Sequence, residues 1–446
     1  MAKFNLGSLA LAGLLLGTVS VQAADRIKFD FWYGNTGAIG DVVQKHCDLF
    51  NASQDKYQAV CTGQGGYDKA EQNTIAAYRA KQQPTVVQIY DAGTVNFMLS
   101  GAIIPAVQFA KDHGIDVNWD GYFGGIKNYY ATSKGEMWSF PYNSSTAVMY
   151  WNKDAWAKIG KTKAPETWGE YGADLKAMKE KGVACGFAYD FDTWLNLEQF
   201  SAASGLPIAT MNNGYDGLGA ELVFNKTAYV QHMKDYKSWA DAGYAALMTD
   251  TTGKDTVQAF ADNTCASMFS SIADFKTVKK TGVAGLNWGV AMMPIVDGAK
   301  RNNTMVGGAS LWVMQGKSSD EYEAAAAFLK YVTAPETGQK YIVENTGYIP
   351  VRADGLELLN KAKFYEDPNN AGREIAITSL TASNGAPAIR GIRLGNFTSI
   401  RKVVRNELEA AFGGKKDMQT ALDDAVAQGN DILRRYEQTF KDSKLP

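Results

Sequence analysis

Histidine is the scarcest chemistry-bearing residue here: His46, His113 and His232 are the three in 446 residues, and none stands at metal-ligand spacing from a second histidine or a cysteine pair. A zinc-type catalytic centre is therefore not expected. The chain also lacks a Gly-x-Ser-x-Gly nucleophile elbow. Gly316-Lys317-Ser318 ends like a phosphate-binding loop, but Leu311 stands where the leading glycine belongs. Gly63-Gln64-Gly65-Gly66 reads more simply as a tight connection ahead of a helix than as a dinucleotide site. With neither a metal set nor a nucleophile–base pair, a secreted hydrolase has no machinery. An excess of one charge is missing too. Lysine and arginine total 45 against 47 acidic residues, a net of −2, which argues against a nucleic acid or an anionic membrane held by bulk electrostatics. Any anion must be held by a local site. After the N-terminal region, no stretch approaches the roughly 20 apolar residues of a membrane helix.

What is present begins with Lys3, the apolar run Leu9 to Leu16, and Val21-Gln22-Ala23. This pattern predicts a secretory signal (residues 1–23) cleaved near Ala23, and a protein exported to a bacterial periplasm. No cysteine follows at the cleavage point, so no lipid anchor is expected there. Four cysteines fit an oxidising compartment and two disulfides. Three pairings are possible. The favoured one joins Cys47, late in a predicted helix, to Cys61 at the end of the strand that follows, leaving Cys185 with Cys265. The length predicts two domains rather than one enlarged core, and 46% hydrophobic with 21% charged residues is a globular composition.

From Ile27 to Leu99 strand and helix alternate: strands Ile27–Trp32, Tyr57–Cys61 and Thr85–Tyr90, helices Ala38–Asn51, Tyr67–Lys81 and Thr94–Leu99. Such alternation predicts an α/β layer with a mainly parallel sheet, whose ligand sits outside the carboxyl ends of the strands. Tyr33-Gly34-Asn35, Gly63 to Tyr67 and Asp91-Ala92-Gly93 occupy those ends. A second mixed run starts after Phe140-Pro141, β character returns at Gly289–Pro294 and Thr304–Met314, and the chain closes on a long helix from Met418 to about Thr439. Several short crossings between two lobes imply a hinge. Many aromatic residues (Trp 10, Tyr 22, Phe 20) suit a polyol ligand as well as a core.

One charge breaks the helical pattern. In the predicted helix Phe397–Phe412 the apolar stripe is Phe397, Ile400, Val404, Leu408, Ala411 and Phe412, and at about 100° per residue Arg401 projects between Leu408 and Phe412. A guanidinium there needs a fixed anion, either a structural Glu or Asp or the anion of a ligand. Asn143-Ser144-Ser145-Thr146, Gly307-Gly308-Ala309-Ser310 and Ser270-Ser271 are its natural companions, because small residues let backbone N–H groups approach an anion.

Tyr150-Trp151-Asn152-Lys153-Asp154-Ala155-Trp156, with Pro165-Glu166-Thr167-Trp168, resembles the extracellular solute-binding proteins of ABC importers. Pro141 to Thr146, Gly307 to Lys317, Thr346-Gly347-Tyr348, Arg393-Leu394-Gly395-Asn396 with Ile400-Arg401, and the closing Gly429-Asn430 and Leu433-Arg434-Arg435 resemble the glycerol-phosphate-binding branch of that family. The resemblance implies a two-lobed clamshell α/β fold, each lobe a mixed, mainly parallel sheet flanked by helices. The lobes are expected over 24–141 plus 294–348 and over 142–293 plus 349–446. It implies no enzyme activity, no cofactor and no metal. The implied partners are sn-glycerol-3-phosphate or a glycerophosphodiester, and a membrane permease driven by a cytoplasmic ATPase, with a monomer the simplest state. Carried over by position, the ligand contacts fall on Tyr67, Asp91, Ser145, Ser271, Gly308, Tyr348 and Arg401, with Phe191 and Trp194 as pocket wall. Arg401, Tyr348, the serines and the Gly308 N–H would hold phosphate; Tyr67 and Asp91 would hold glycerol hydroxyls. A sugar receptor of the same fold is the rival, since the general signature is shared.

Overall fold

The computed structural model describes Met1 and residues 25–249, 253–383 and 390–446; the rest of the expected signal segment lies outside the described residues. Strands β1 (Ile27–Tyr33), β2 (Tyr57–Gly63), β3 (Val86–Tyr90), β4 (Ile103–Ile104) and β5 (Phe140–Ser145) come first. They are followed by β6 (Ala147–Asn152), β7 (Phe187–Tyr189), β8 (Ala245–Leu247), β9 (Ser267–Ser271), β10 (Trp288–Ala291) and β11 (Gly307–Met314). Two sheets result. One has the order β2-β1-β3-β11-β4 with β5 also on β11, and the other runs β10-β6-β9-β7-β8.

The expected alternation holds from Ile27 onward, with helices Gly37–Ala52 and Tyr67–Arg79 between the first three strands. The mainly parallel sheet is corrected. β1 pairs in parallel with β2 and β3, but β11 runs antiparallel to β3, β4 and β5. In the second sheet β6 is antiparallel to β9 and β10, while β7 is parallel to β8 and β9. The cause is the chain's route. It leaves the first sheet along β5, builds the second, and returns along β11, so the returning strand lies against its predecessors.

Apolar side chains pack against both sheets. Phe29, Phe31 and Phe50 meet Phe328 of the helix Ser319–Thr333 under the first sheet. Under the second, Trp168, Tyr171, Phe187 and Phe269 form an aromatic cluster. The same core takes in Ile400, Val404 and Leu408 of the helix Phe397–Phe412 and Leu422 of the helix Met418–Thr439. The apolar stripe read from the sequence is thus buried as expected. Cys47–Cys61 and Cys185–Cys265 are bonded, with Cα separations of 6.5 and 4.6 Å. Among the described residues no helix is long and apolar enough to cross a membrane.

The passages between sheets are short. β5 leads into β6 through the single residue Thr146, whose hydroxyl bonds Thr304 and the Met305 carbonyl just ahead of β11. Further on, Gly347 donates its N–H to the Ala273 carbonyl beside β9, while Ile349 donates to Ser144 in β5. Thr346 to Ile349 therefore touches both sheets. Val351 accepts from Phe123, and Arg352 bridges to Tyr122, so the chain stays with the first sheet beyond Tyr348.

Candidate functional site

A cleft of about 800 Å³ opens where the strand ends of both sheets converge. Gly34 and Asn35 after β1, Gly65 to Lys69 after β2, and Asp91 after β3 line it from the first sheet; Ser270 and Ser271 of β9 line it from the second. Ser145 at the end of β5 and Gly308 at the start of β11 form its floor beside the crossing. All seven expected contact residues, Tyr67, Asp91, Ser145, Ser271, Gly308, Tyr348 and Arg401, line this one cleft, and Trp194 joins them. Phe191 does not. Its ring packs on Phe412 at 4.9 Å and Tyr189 at 6.1 Å, inside the second core. The pocket-wall expectation for Phe191 is corrected on that ground.

Backbone geometry explains the small residues. Gly308 has φ +97°, and a Cβ there would lie 2.0 Å from the Asn143 carbonyl oxygen, at the irregular register where β11 meets β5. Only glycine tolerates both conditions. At Gly307 a Cβ would lie 2.4 Å from the Trp194 ring, so the indole lies directly over β11. Ser271 caps the following turn by accepting from the Ala273 N–H, and Ser270 donates to Asp274.

On one side of the cleft a polar network fixes two tyrosines. The Tyr67 and Tyr348 hydroxyls are 3.2 Å apart, and Tyr67 accepts from Asn35 and Asn143, each at 2.9 Å. Buried Gln88 donates to the side-chain oxygens of both asparagines and accepts from the Gly34 N–H. Burial raises both tyrosines above their ordinary pKa, so they act as neutral hydroxyl donors or acceptors. Gln88 carried no signal in the sequence, because it sits inside an otherwise apolar strand with nothing to show that its amide faces a cleft.

On the other side Arg401 meets the anion its position required. Its Nε donates to Glu198 Oε1 at 2.7 Å and its Nη2 to Glu198 Oε2 at 2.8 Å, while Nη2 also donates to Asp91 Oδ1 at 2.7 Å. The side chains of Glu198, Asp91 and Arg401 are 2%, 6% and 16% exposed. Burial pushes the Glu198 carboxyl up to about 7 against the pull of Arg401, and raises Asp91 as well. Two buried carboxylates share one guanidinium. Glu198 was missed by sequence reasoning. Its signal was a lone carboxylate in an otherwise uncharged run from Thr193 to Tyr215. It sits on a π-helical turn, Trp194–Gln199, which carries Trp194 at its start and Glu198 near its end.

His46 is buried between Tyr142 and the Thr337 carbonyl, and His232 among Trp168, Phe200 and Tyr236. Both are core residues. No group of three or more His, Cys, Asp or Glu that could hold a metal occurs among the described residues.

A family model described as bacterial extracellular solute-binding protein matches residues 45–372. The chain belongs to that family. This solute-binding protein is 37% identical over 432 residues to the sn-glycerol-3-phosphate-binding periplasmic protein UgpB of Yersinia pseudotuberculosis, a match covering 95% of this chain and 96% of the relative. It is also 37% identical, over 447 residues, to UgpB of Escherichia coli O1:K1, covering 98% of this chain and 99% of the relative. Among solved structures it is similar to UgpB from Mycobacterium tuberculosis in complex with glycerophosphocholine, with TM-score 0.75, 22% identity, and 92% and 99% of the two chains covered. The GacH receptor of Streptomyces glaucescens, solved unliganded and with acarbose, matches with TM-score 0.73, 19% identity, and 92% and 99% covered. These two structures share the fold. The solute-binding protein is a two-lobed α/β receptor, not an enzyme.

Proposed function

We propose that this solute-binding protein captures a glycerophosphate, sn-glycerol-3-phosphate or a glycerophosphodiester, in the cleft between its sheets. It works as a periplasmic monomer after removal of residues 1–23, and passes the ligand to an ABC permease driven by a cytoplasmic ATPase. The observation that carries this reading is convergence. Residues dispersed from Tyr67 to Arg401 line one cleft, in a chain 37% identical to named glycerol-3-phosphate-binding proteins over 95% of its length. Arg401, Ser145, Ser271 and the Gly308 N–H offer donors to a phosphate; the Tyr67–Tyr348 pair and Asp91 suit glycerol hydroxyls.

The lobes in this reading are the two sheets with their flanking helices, crossing at Thr146, between β10 and β11, and after the segment that follows Tyr348. Ligand touching both lobes favours the closed state by its differential affinity for it, in the manner of the hinge closure that periplasmic binding proteins as a class undergo around their ligands. Solution scattering with and without glycerophosphate tests this directly. A smaller radius of gyration on binding is expected, and an unchanged one would sink the closure account. The sugar-receptor reading is favoured by one observation, the fold shared with an acarbose-binding receptor. It predicts that Arg401→Ala leaves ligand affinity nearly unchanged, because a neutral sugar has no anion to lose.

A further inference from the structure

We propose that Glu198 determines which phosphate ester the cleft accepts: by neutralising Arg401 from behind the cleft wall, it favours a glycerol phosphodiester carrying one negative charge over a phosphomonoester carrying two. The inference rests on the glycerophosphate reading above and goes beyond it by naming the ester class and the residue that sets it.

A guanidinium has five N–H donors. Nε is committed to Glu198, and Nη2 is divided between Glu198 and Asp91. Nη1 has no hydrogen-bond partner among the described residues, which leaves its two N–H groups for a ligand that reaches Arg401 from the cleft. The parallel Nε/Nη2 edge is taken by Glu198, so a phosphate meets Nη1 through a single N–H bond rather than through a bidentate fork.

Charge points the same way. With both carboxylates ionised the triad Arg401–Glu198–Asp91 carries −1, and with one proton shared between them it carries zero. In neither state does it offer net positive charge. The other charged residues lining the cleft do not supply it. Asp68 lies 3.8 Å from Lys402, Asp192 and Asp274 add negative charge, and among the described residues Lys69 is the one further cation on the wall. A phosphomonoester brings about −1.5 to −2 at pH 7, and in a site of low dielectric the second charge needs its own partner. A phosphodiester brings one charge fewer, and a cationic substituent on it would face Asp192 and Asp274 favourably.

The two carboxylates play different parts. Asp91 lines the cleft after β3, whereas Glu198 lies on the turn Trp194–Gln199 and is not among the residues lining the cleft. Glu198 holds Arg401 through two hydrogen bonds where Asp91 makes one, and its charge acts on the ligand wherever the carboxyl is ionised. Glu198 is thus a specificity and positioning residue, acting on the ligand through the guanidinium.

The test is calorimetric titration, at pH 8, of the mature protein and of its Glu198→Gln and Glu198→Asp variants with sn-glycerol-3-phosphate and with glycerophosphocholine. The wild type is expected to prefer the diester by tenfold or more. Glu198→Gln should shift the monoester-to-diester affinity ratio at least tenfold toward the monoester, and Glu198→Asp, which keeps the charge, should restore most of the diester preference. A wild type that prefers the monoester overturns the inference even if neither variant folds. So does an equal loss for both ligands in Glu198→Gln, which would leave Glu198 a purely structural partner. If the wild type binds neither ester, the glycerophosphate reading itself falls and this inference with it.

Discussion

Replacing Arg401 by methionine keeps most of the stem's volume but removes the one cation that Glu198 and Asp91 share. Both carboxylates are then buried, at 2% and 6% exposure, without a countercharge. Breaking a buried pair by removing one partner costs about 3–5 kcal/mol. The carboxylates can escape by taking up protons, and pH decides what that escape requires. Holding a proton on a carboxyl of ordinary pKa 4.5 costs about 1.4 kcal/mol per pH unit above it, hence about 5 kcal/mol at pH 8 but under about 1 kcal/mol at pH 5. Arg401→Met should therefore be destabilised by about 3–5 kcal/mol at pH 8 and by about 2 kcal/mol at pH 5, where both carboxyls, of ordinary pKa 4.5 and 3.8, take up a proton. Urea unfolding followed by tryptophan fluorescence at the two pH values measures this. Adding Glu198→Gln to Arg401→Met should recover a large part of the pH 8 loss, because the uncompensated charge is gone. Equal stability of wild type and Arg401→Met at pH 8, or a loss independent of pH, would refute the reasoning. The same variant should bind glycerophosphate esters about thirty-fold to several-thousand-fold more weakly, the equivalent of roughly 2–5 kcal/mol.

Glu198→Gln alone tests the raised carboxyl. A group lifted from 4.5 to about 7 on folding contributes stability that is fully present below pH 4.5 and lost as pH rises through 7. Between pH 5 and pH 8 the wild type should lose about 2–3 kcal/mol relative to Glu198→Gln, and parallel stability curves would contradict the assignment. Gly308→Ala places a methyl 2.0 Å from the Asn143 carbonyl at φ +97°. It should cost at least about 1–3 kcal/mol in stability and weaken ligand binding, since Asn143 orients Tyr67; an unchanged thermal midpoint and affinity would count against the described floor of the cleft. Removing Cys185–Cys265, which closes a loop spanning 80 positions of the sequence, should lower stability by about 4–5 kcal/mol on the chain-entropy model. Denaturant unfolding of Cys185→Ala/Cys265→Ala measures it, and a loss below about 1 kcal/mol would speak against that estimate.

Much of the architecture was legible because it is written in local pattern. Alternating segments from Ile27 onward foretold the first sheet and the strand-end loops that became Gly34-Asn35, Gly65 to Tyr67 and Asp91. The helical period alone marked Arg401 as a charge on a buried stripe. Strand direction was not legible in the same way. Whether β11 pairs parallel or antiparallel depends on where the chain re-enters the first sheet after more than 150 intervening residues, and no local preference records that. Glu198 escaped for a related reason. Its partner lies 203 positions away, and a π-helical turn follows neither of the two periods by which a face is read. Phe191 was misplaced because its pocket-wall role was carried over by position from the resemblance, and packing decides whether a ring there meets the cleft or the adjoining core. Its contacts with Phe412 and Tyr189 are tertiary.

Recognition of a glycerophosphate through its phosphate, the central claim, is tested most directly by one calorimetric experiment. The mature protein, unfolded and refolded to strip any carried ligand, is titrated in parallel with sn-glycerol-3-phosphate, glycerophosphocholine and maltose. Saturable binding of a glycerophosphate ester and no heat with maltose is the predicted result. Saturable binding of maltose, with neither phosphate ester bound, would contradict it.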